Sequence, residues 1–444
     1  MIIVGAGPTG LAFAHYATKQ NKKVLILEKE DTLGGCHRVH RVDTMFTEHG
    51  PRVYSNAFIN FIEILEDMGT SLDELFTPYN FNFNSVVSAT KLKPMEILQI
   101  LGEFLMLSIN PDHGKTTSVL KFAQKNKFSE STIEYLDALC RLTDGATADK
   151  YTLYQFLNLI DQQALYNLYQ PKQPNDVGLF NIWGKYLLKQ GVVIKTGVDV
   201  YINTNGNVVT SVNEHYIADD YILAIPPISL VGLLKTSSIP DAFGNELTEY
   251  SKDTEYIDYI SVTYHFDTTL QLPKIWGFPK NDWGVGFIIL TDYMTFDNNG
   301  SKTVISAVIT KANNPSKTTG KTAKSSNSDE IITELYRQLE LDIPKPTTAI
   351  VYPLQEEAYI SNVYSDRYTI PFRSNDFTNL YSVGTHSKKS EYQFTTIESA
   401  VTNARYLANK MYSTPYPRRN LITVTKILGV VYIIIILVVL IGYR

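Results

Sequence analysis

The chain opens with a short apolar run, Ile2–Val4, and then turns through three glycines into a helix-like stretch. Gly5, Gly7 and Gly10 stand between a strand and a helix, which is the context that a dinucleotide-binding turn needs. The first glycine permits the tight turn, the second lets the backbone approach a diphosphate, and the third allows close packing of the helix. Because helix N-termini attract anions, we expect this turn, with Pro8 and Thr9, to bind a diphosphate.

A second strand follows and ends in a carboxylate. The stretch KVLILEK covers residues 23–29, and Glu28 comes 18 residues after Gly10. A carboxylate at this place accepts hydrogen bonds from both hydroxyls of a ribose. We therefore assign Glu28 and the adjacent Lys29 to the dinucleotide site, with a solvated strand end as the alternative interpretation of Glu28. NAD and FAD share such a unit, so the unit alone does not separate the two cofactors.

Composition excludes several classes of function. The 444 residues have a formal charge of −5, whereas nucleic-acid binding usually needs a basic face, so we expect no nucleic-acid partner. The chain has two cysteines, Cys36 and Cys140, too few and too far apart for a disulfide framework. His37 and His40 lack a third ligand at useful spacing, and we expect no metal site.

The rest of the chain divides into a helical part and a part rich in strands. Residues 57–185 carry apolar residues at helical spacing, which predicts a helical insertion. The polar stretch 311–328 predicts an exposed loop. Alternation and length predict strands over 191–202, 207–212, 255–266, 284–291, 302–310, 347–354 and 379–385, and helices over 329–341 and 395–411.

The glycine pair Gly34–Gly35 carries a family resemblance. With the first glycine turn and Glu28, the LGG at residues 33–35 resembles the flavin-containing amine oxidase superfamily. That superfamily includes protoporphyrinogen oxidases, phytoene-type desaturases and, more distantly, UDP-galactopyranose mutases. The resemblance covers most of residues 1–415 and implies FAD as the cofactor. It implies backbone contact with FAD at Gly34 and Gly35.

Further motifs extend the resemblance along the chain. MFTEHGPRVYSN resembles the stretch that lies against the isoalloxazine ring, and IKTGVDV resembles the strand that grips the adenosine. NLYSVGTHSKKSEYQFTTIESA resembles the last flavin motif, whose helix, starting at 395–397, points its N-terminus at the flavin pyrimidine. The flavin contacts implied in these motifs are Gly50, Pro51, Arg52, Val198, Gly384, Thr385, Thr396 and Ile397.

The resemblance implies an α/β fold class. We expect a Rossmann-like FAD-binding domain, with a parallel sheet and a β-meander, an α+β substrate domain and a C-terminal transmembrane helix. The FAD-binding domain would be discontinuous, and the substrate domain would have a helical part and a sheet part. The predicted bounds are 1–80, 186–232 and 378–412 for the first domain, 81–185 and 233–377 for the second, 413–420 for a linker and 421–443 for a membrane anchor.

The implied reaction is hydride transfer from a small-molecule substrate, at an amine or a CH–CH group, to flavin N5. The sequence departs from the superfamily at three positions: Ser261 stands where many amine oxidases have lysine, Cys36 where an arginine is usual, and Thr385 where an acid is common. These departures keep open the hypothesis of a catalytically degenerate flavin-fold protein, and a likeness of the GPRVYSN stretch to the mutases keeps open a non-redox mutase. Candidates for the flavin face are His49, Arg52, Tyr392 and Phe394, with core packing as the alternative for the two aromatic residues.

The C-terminal end of the chain is strongly apolar. Residues 427–443 carry no charge over 17 positions and follow Lys426 and the Arg418–Arg419 pair. This pattern predicts a single-pass tail anchor at residues 421–443 in a lipid bilayer, with the large domain on the cytosolic side. Because the cofactor fold starts at the first strand, we expect no leader. The oligomeric state stays open.

Overall fold

The computed structural model describes residues 1–48, 52–79, 92–272, 281–352, 355–360, 367–391, 395–413, 415–417 and 419–442. Its helices are α1 Pro8–Lys19, α2 Ile59–Asp67, α3 Leu72–Leu75, α4 Pro94–Ile109, α5 Val119–Lys125, α6 Glu130–Asp144, α7 Leu153–Gln163, α8 Leu179–Lys189, α9 Pro227–Thr236, α10 Asn245–Asp253, α11 Ser328–Gln338, α12 Ile397–Met411 and α13 Val424–Gly442.

The strands are short in the first half of the chain and longer in the second. They are β1 Ile2–Val4, β2 Leu25–Leu27, β3 Val39–Val42, β4 Met45–Glu48, β5 Tyr54–Ser55, β6 Phe76–Pro78, β7 Leu168–Pro171, β8 Val193–Lys195, β9 Ile202–Asn205, β10 Val208–Val212, β11 Tyr221–Leu223, β12 Glu255–Phe266, β13 Val285–Ile289, β14 Thr303–Ile309, β15 Thr348–Val351, β16 Gln355–Ile360 and β17 Leu380–Ser382.

A five-stranded parallel sheet forms the centre of the fold, in the order β17-β11-β1-β2-β8. Ile3 pairs with Ile26 on one side and with Ile222 on the other, and these three side chains share one buried face with residues of α1 and α12. Because side chains alternate along a strand, Ile2 and Val4 lie on the opposite face, which packs against α9 and α10. Helices therefore cover both faces, as in other parallel sheets.

A second sheet is antiparallel, in the order β13-β14-β12-β15, and β16 also pairs with β12. One face packs against α11, and the other packs against the β3–β4 hairpin through Val39 and Phe46. The antiparallel sheet therefore lies next to the β3–β4 hairpin, which follows Gly34–Gly35 in the chain.

Two features of the β-structure differ from expectation. The expected β-meander is a two-stranded hairpin of β9 and β10, continued by one bridge between Val212 and Tyr216. A small sheet, β5-β7-β6, lies within and beside the region predicted to be mainly helical. Its strands are two to four residues long, too short for a periodic pattern to reveal them.

The predicted membrane anchor is wrong. Across the ranges described above, none of the helices combines the length and the apolar character needed to cross a bilayer. This finding overturns four linked predictions. They are the transmembrane helix at 421–443, the contact with a lipid bilayer, the tail anchoring, and the membrane localisation with a cytosolic domain.

The start of the apolar segment contacts its own chain. The Thr425 N–H donates to Asp161 Oδ1 of α7 at 3.0 Å. A Cβ on Gly429 would lie 3.1 Å from the Ser108 carbonyl oxygen of α4, so helix α13 approaches α4 closely at that point. Apolar character alone does not distinguish such docking from a membrane span. The predicted domain bounds, without the anchor, stay a prediction.

Candidate functional site

The glycine turn between β1 and α1 is compact. Gly5 has φ +102°, and a Cβ there would lie 2.6 Å from the Ala224 carbonyl oxygen of the neighbouring strand connection. A Cβ on Gly10 would overlap the Gly5 carbonyl oxygen. Side chains are therefore excluded at both positions, at Gly5 by conformation as well as by space.

The N-terminus of α1 is open to an anion. Gly7 is its N-cap residue and provides no side-chain hydrogen bond, and Pro8 occupies the first helical position. The helical bonding begins with the Leu11 N–H, which donates to the Gly7 carbonyl at 3.0 Å. The N–H groups of Thr9 and Gly10 therefore have no partner from the helix itself, and the positive end of the helix dipole adds to their attraction for a diphosphate.

Glu28 lies at the end of β2, at the same edge of the sheet as the glycine turn. It is buried, its Oε2 accepts the Ala6 N–H at 2.6 Å and its Oε1 accepts the Glu30 N–H at 3.0 Å. Each carboxylate oxygen has two lone pairs, so the group can still accept ribose hydroxyls. The Val198 N–H donates to the Glu28 carbonyl at 2.9 Å. The structure thus brings together two residues predicted for the adenosine half of the site.

Lys29 lies at the periphery of this region. Its side chain is 68% exposed, and its ammonium is 3.8 Å from Glu30 Oε1. It stands next to the buried Glu28 but points toward solvent. Its predicted role in binding stays a prediction.

The glycine pair packs onto the glycine turn. The Gly34 N–H donates to the Ala6 carbonyl at 3.0 Å, and a Cβ on Gly35 would lie 3.0 Å from Gly7 Cα. The other side of Gly34 contacts the Phe180 ring of α8, because a Cβ there would lie 3.0 Å from it. The two glycine loops and α8 therefore form one wall of the candidate site.

Arg52 joins this wall from the segment before β5. Its Nη2 donates to the carbonyl of Cys36, directly after the glycine pair. Its Nε has no hydrogen-bond partner among the described residues. His49, Gly50 and Pro51 lie outside the described residues.

Buried polar groups surround Arg52. The Tyr54 hydroxyl donates to Asn175 Oδ1 and contacts His37 Nδ1, both at 3.1 Å. Burial lowers the pKa of His37 well below its usual value, and the positive charge of Arg52 lowers it further. Burial raises the pKa of Glu48 to about 7. His37 is therefore neutral at pH 7, and Glu48 keeps its proton to a higher pH than an exposed glutamate does.

Sequence reasoning missed Glu48 as well as Asn175, which follows β7. A usable signal was present around Asn175, since the polar stretch QPND at 173–176 separates a buried strand from an amphipathic helix. For Glu48 the signal was a carboxylate at the end of a strand in which the two preceding positions, Phe46 and Thr47, are also buried.

The C-terminal motif lies two strands from β1 in the same parallel sheet. β17 pairs with β11, which pairs with β1, so Gly384 and Thr385 follow their strand at the edge that also carries Gly5. The Val383 N–H donates to the Leu223 carbonyl at 3.0 Å. Segments almost 380 positions apart therefore meet at one edge of the sheet.

Helix α12 follows this motif and packs along α1. Its N-cap residue is Thr396, whose Oγ1 accepts the Ser399 N–H at 3.0 Å, and Ile397 is its first residue. Tyr392 and Phe394, predicted to flank the substrate, lie outside the described residues. The direction of the α12 N-terminus toward a flavin stays a prediction.

Ser261 lies in β12 of the antiparallel sheet. It is fully buried, it pairs with Val308, and its carbonyl accepts the Tyr352 N–H at 2.7 Å. Ser261, which the resemblance aligns with the lysine of many amine oxidases, is thus a buried strand residue with a small side chain.

Comparison with known sequences supports the prediction of a dinucleotide-binding unit at the amino-terminal end. The family described as "NAD(P)-binding Rossmann-like domain" matches residues 3–67. A UDP-galactopyranose mutase of Mycoplasma genitalium is 31% identical over 179 residues, which cover 38% of this chain and 38% of the relative. A coproporphyrinogen III oxidase of Propionibacterium freudenreichii subsp. freudenreichii is 30% identical over 95 residues, which cover 21% of this chain and 18% of the relative. The chain thus matches well under half the length of these relatives.

Comparison with solved structures covers nearly the whole chain. An oxidoreductase from Methanosarcina mazei superposes with a TM-score of 0.65 at 14% identity, covering 92% of this chain and 99% of that one. A structure assigned as a protoporphyrinogen oxidase from Exiguobacterium sp. superposes with a TM-score of 0.62 at 18% sequence identity, and the match covers 92% of this chain and 98% of that one. A putrescine oxidase variant with redesigned cofactor binding has a TM-score of 0.64 at 14% sequence identity, and the match covers 92% of this chain and 98% of that one. The predicted resemblance to the amine oxidase superfamily is therefore confirmed at the level of the fold.

Proposed function

We propose that the chain is an FAD-dependent oxidoreductase of the amine oxidase type. The observation that carries the proposal is the stacking of the glycine pair on the glycine turn, beside the buried Glu28, at the edge of the sheet that also carries Gly384. Substrates and cofactors of open parallel sheets bind at the carboxyl ends of the strands.

The residues present fit a flavin dinucleotide. The uncapped N-terminus of α1 offers N–H groups to the diphosphate, and the glycines at positions 5 and 10 keep the turn compact. Glu28 would bind the ribose, and Val198 would contact the adenosine by its backbone. The positive end of α12 would stabilise negative charge at the pyrimidine. When bound, the flavin supplies an acceptor for a hydride from a substrate C–H.

The names of the similar proteins support an oxidase. They include a coproporphyrinogen III oxidase, a protoporphyrinogen oxidase and a putrescine oxidase. Ser261 has no amine that could act on a water or on the flavin, so it favours oxidation of a CH–CH group over plain amine oxidation.

A second candidate function rests on one observation. The mutase relative is 31% identical over 179 residues, and UDP-galactopyranose mutases are the distant branch of the same superfamily. In that case the flavin would serve an isomerisation of a UDP-sugar, without net redox change.

A visible spectrum of the purified full chain tests the proposal. We expect flavin absorbance that bleaches under anaerobic conditions with coproporphyrinogen III, and less or not at all with putrescine. Conversion of UDP-galactopyranose to its furanose isomer without bleaching would support the mutase instead. A colourless chain that does not take up added FAD would contradict both and favour a degenerate flavin-fold protein.

A further inference from the structure

Glu48, Arg52 and Asn175 form a polar cluster beside the glycine pair, in which Glu48 and Asn175 are buried and Arg52 is partly exposed. Arg52 reaches the Cys36 carbonyl, and the Asn175 backbone N–H donates to the Glu48 carboxylate. Glu48 and Asn175 are 5% and 1% exposed. These two side chains and Arg52 Nε are therefore removed from bulk water, and they adjoin the wall of the candidate flavin site.

Each member of this cluster has a polar atom without a hydrogen-bond partner among the described residues. These atoms are Glu48 Oε1, Arg52 Nε and Asn175 Nδ2. A buried polar group that loses its water and gains no partner destabilises the folded state, more so if it is charged. Three such atoms in one cluster indicate that a ligand completes their hydrogen bonds.

The donor and acceptor roles decide what kind of ligand fits. Arg52 Nε and Asn175 Nδ2 only donate, and Glu48 Oε1 donates when its carboxyl is protonated. One ligand carboxylate could accept from all three. A ligand ammonium would satisfy Glu48 alone, would leave both donors unpaired, and would place a cation beside Arg52.

The charges around Glu48 also favour an acidic ligand. Arg41 and Asp176 face Glu48, but they pair with each other at 2.5 and 2.9 Å. Tyr54 and Tyr293 face it with neutral hydroxyls, since burial raises the pKa of both above its ordinary value. With Glu48 protonated, the cluster has the uncompensated positive charge of Arg52. Burial raises the pKa of Glu48 to about 7, so this state is well populated at and below neutral pH.

We propose that Glu48, Arg52 and Asn175 bind a carboxylate of the substrate. The inference rests on the proposed function and narrows it, because the oxidised molecule would be an acid with a C–H group held toward the flavin. A carbonyl oxygen of the flavin has similar acceptor chemistry, and the experiment separates these two sources.

Calorimetric titration of the full chain tests the proposal, with benzoate, benzamide and benzylammonium as matched probes. We expect benzoate to bind most tightly, with affinity falling as pH rises through about 7. Arg52→Gln and Asn175→Ala should each weaken benzoate binding roughly 10- to 100-fold, the loss expected for a hydrogen bond to a charged group. Lys252→Gln, which removes an exposed cation outside the cluster, is the control and should change benzoate affinity less than about threefold.

Glu48→Gln keeps the shape of the side chain and cannot ionise. In this variant benzoate affinity should be nearly constant between pH 6 and 8. Preference for benzylammonium, or a wild-type benzoate affinity in Arg52→Gln, would overturn the proposal. Loss of FAD affinity in Arg52→Gln and Asn175→Ala, with benzoate binding unchanged, would also overturn it and assign the cluster to the flavin.

The same titrations without FAD separate the two proposals. If the chain binds no FAD but benzoate binding still depends on Arg52 and Glu48, the carboxylate site stands and the proposed redox function fails. If FAD binds and is reduced by a substrate but the probes show no preference for benzoate, the carboxylate proposal alone fails. Circular dichroism of each variant checks that the fold is retained.

Discussion

The Arg405 guanidinium donates from Nε to the Tyr16 hydroxyl at 3.0 Å, although the two residues are 389 positions apart. Nη1 donates to Asn60 Oδ1 at 2.7 Å, and Nη2 donates to Glu63 Oε2 at 2.8 Å. Arg405 is 1% exposed. This one side chain therefore joins α12, which follows the C-terminal motif, to α1 and α2 at the other end of the chain.

Replacing Arg405 should destabilise the fold strongly. Arg405→Met removes the charge but leaves Glu63 and the buried Asn60 without this partner, and breaking a buried pair in this way costs about 3–5 kcal/mol. Urea denaturation measures the free energy of unfolding. Lys252→Met breaks an exposed ion pair with Glu249 and should cost less than about 1 kcal/mol. A loss of similar size in both variants would contradict the role given to Arg405.

The glycine turn should not tolerate a side chain at residue 10. In Gly10→Val the side chain would overlap the Gly5 carbonyl, so the turn must open and the cradle for a diphosphate is lost. We expect FAD affinity to fall at least about 100-fold, measured by fluorescence quenching of added FAD. Gly232→Ala is the control, since a Cβ at that helical position meets no atom within 4 Å. It should leave FAD affinity unchanged and raise stability by up to about 1 kcal/mol.

Glu48 should make stability depend on pH. Its folded pKa is about 7, above the ordinary value of 4.5, so the folded state holds its proton more tightly than the unfolded state. The contribution of Glu48 is therefore fully present below pH 4.5 and is lost as pH rises to 7 and above. As pH rises from 4.5 to 8.5, the free energy of unfolding of Glu48→Gln should increase by about 3 kcal/mol relative to that of the wild type. Urea denaturation at each pH measures this difference. A constant difference between the two would contradict the perturbed pKa.

His386 should give stability the opposite pH dependence, with stability lost as pH falls. It is buried after Gly384, with Nε2 3.2 Å from Ser382 Oγ, and burial lowers its pKa to about 4 from the ordinary 6.5. The unfolded state therefore takes up the proton first, so stability from the neutral ring is present above pH 6.5 and is lost as pH falls to 4.

The expected loss between pH 7 and 4 is about 3 kcal/mol relative to His386→Gln. Urea denaturation of both proteins at several pH values measures it, and His215→Gln, at an exposed position, is the comparison. Titration of the His386 ring protons in an NMR spectrum with a midpoint near 6.5 would contradict the prediction.

The amino-terminal unit could be predicted from the sequence because its information is local. Gly5, Gly7, Gly10 and Glu28 lie within one strand–turn–helix–strand unit, where spacing alone determines which groups meet. The same holds for α12, whose 15 residues carry a periodic apolar pattern long enough to read. The resemblance then implied the shared fold, which the comparisons confirm.

Only the tertiary structure decided the rest. Glu48, Arg52 and Asn175 come from separate segments, and their hydrogen bonds depend on β7 and α8 folding back beside the glycine pair. The apolar segment after Leu421 was wrongly predicted to cross a membrane, since no helix of the described residues combines the length and the apolar character that a bilayer span needs. In the structure its first turn is bonded to Asp161. Local spacing determines the elements, whereas long-range packing determines which polar groups are buried together and left to bind a ligand.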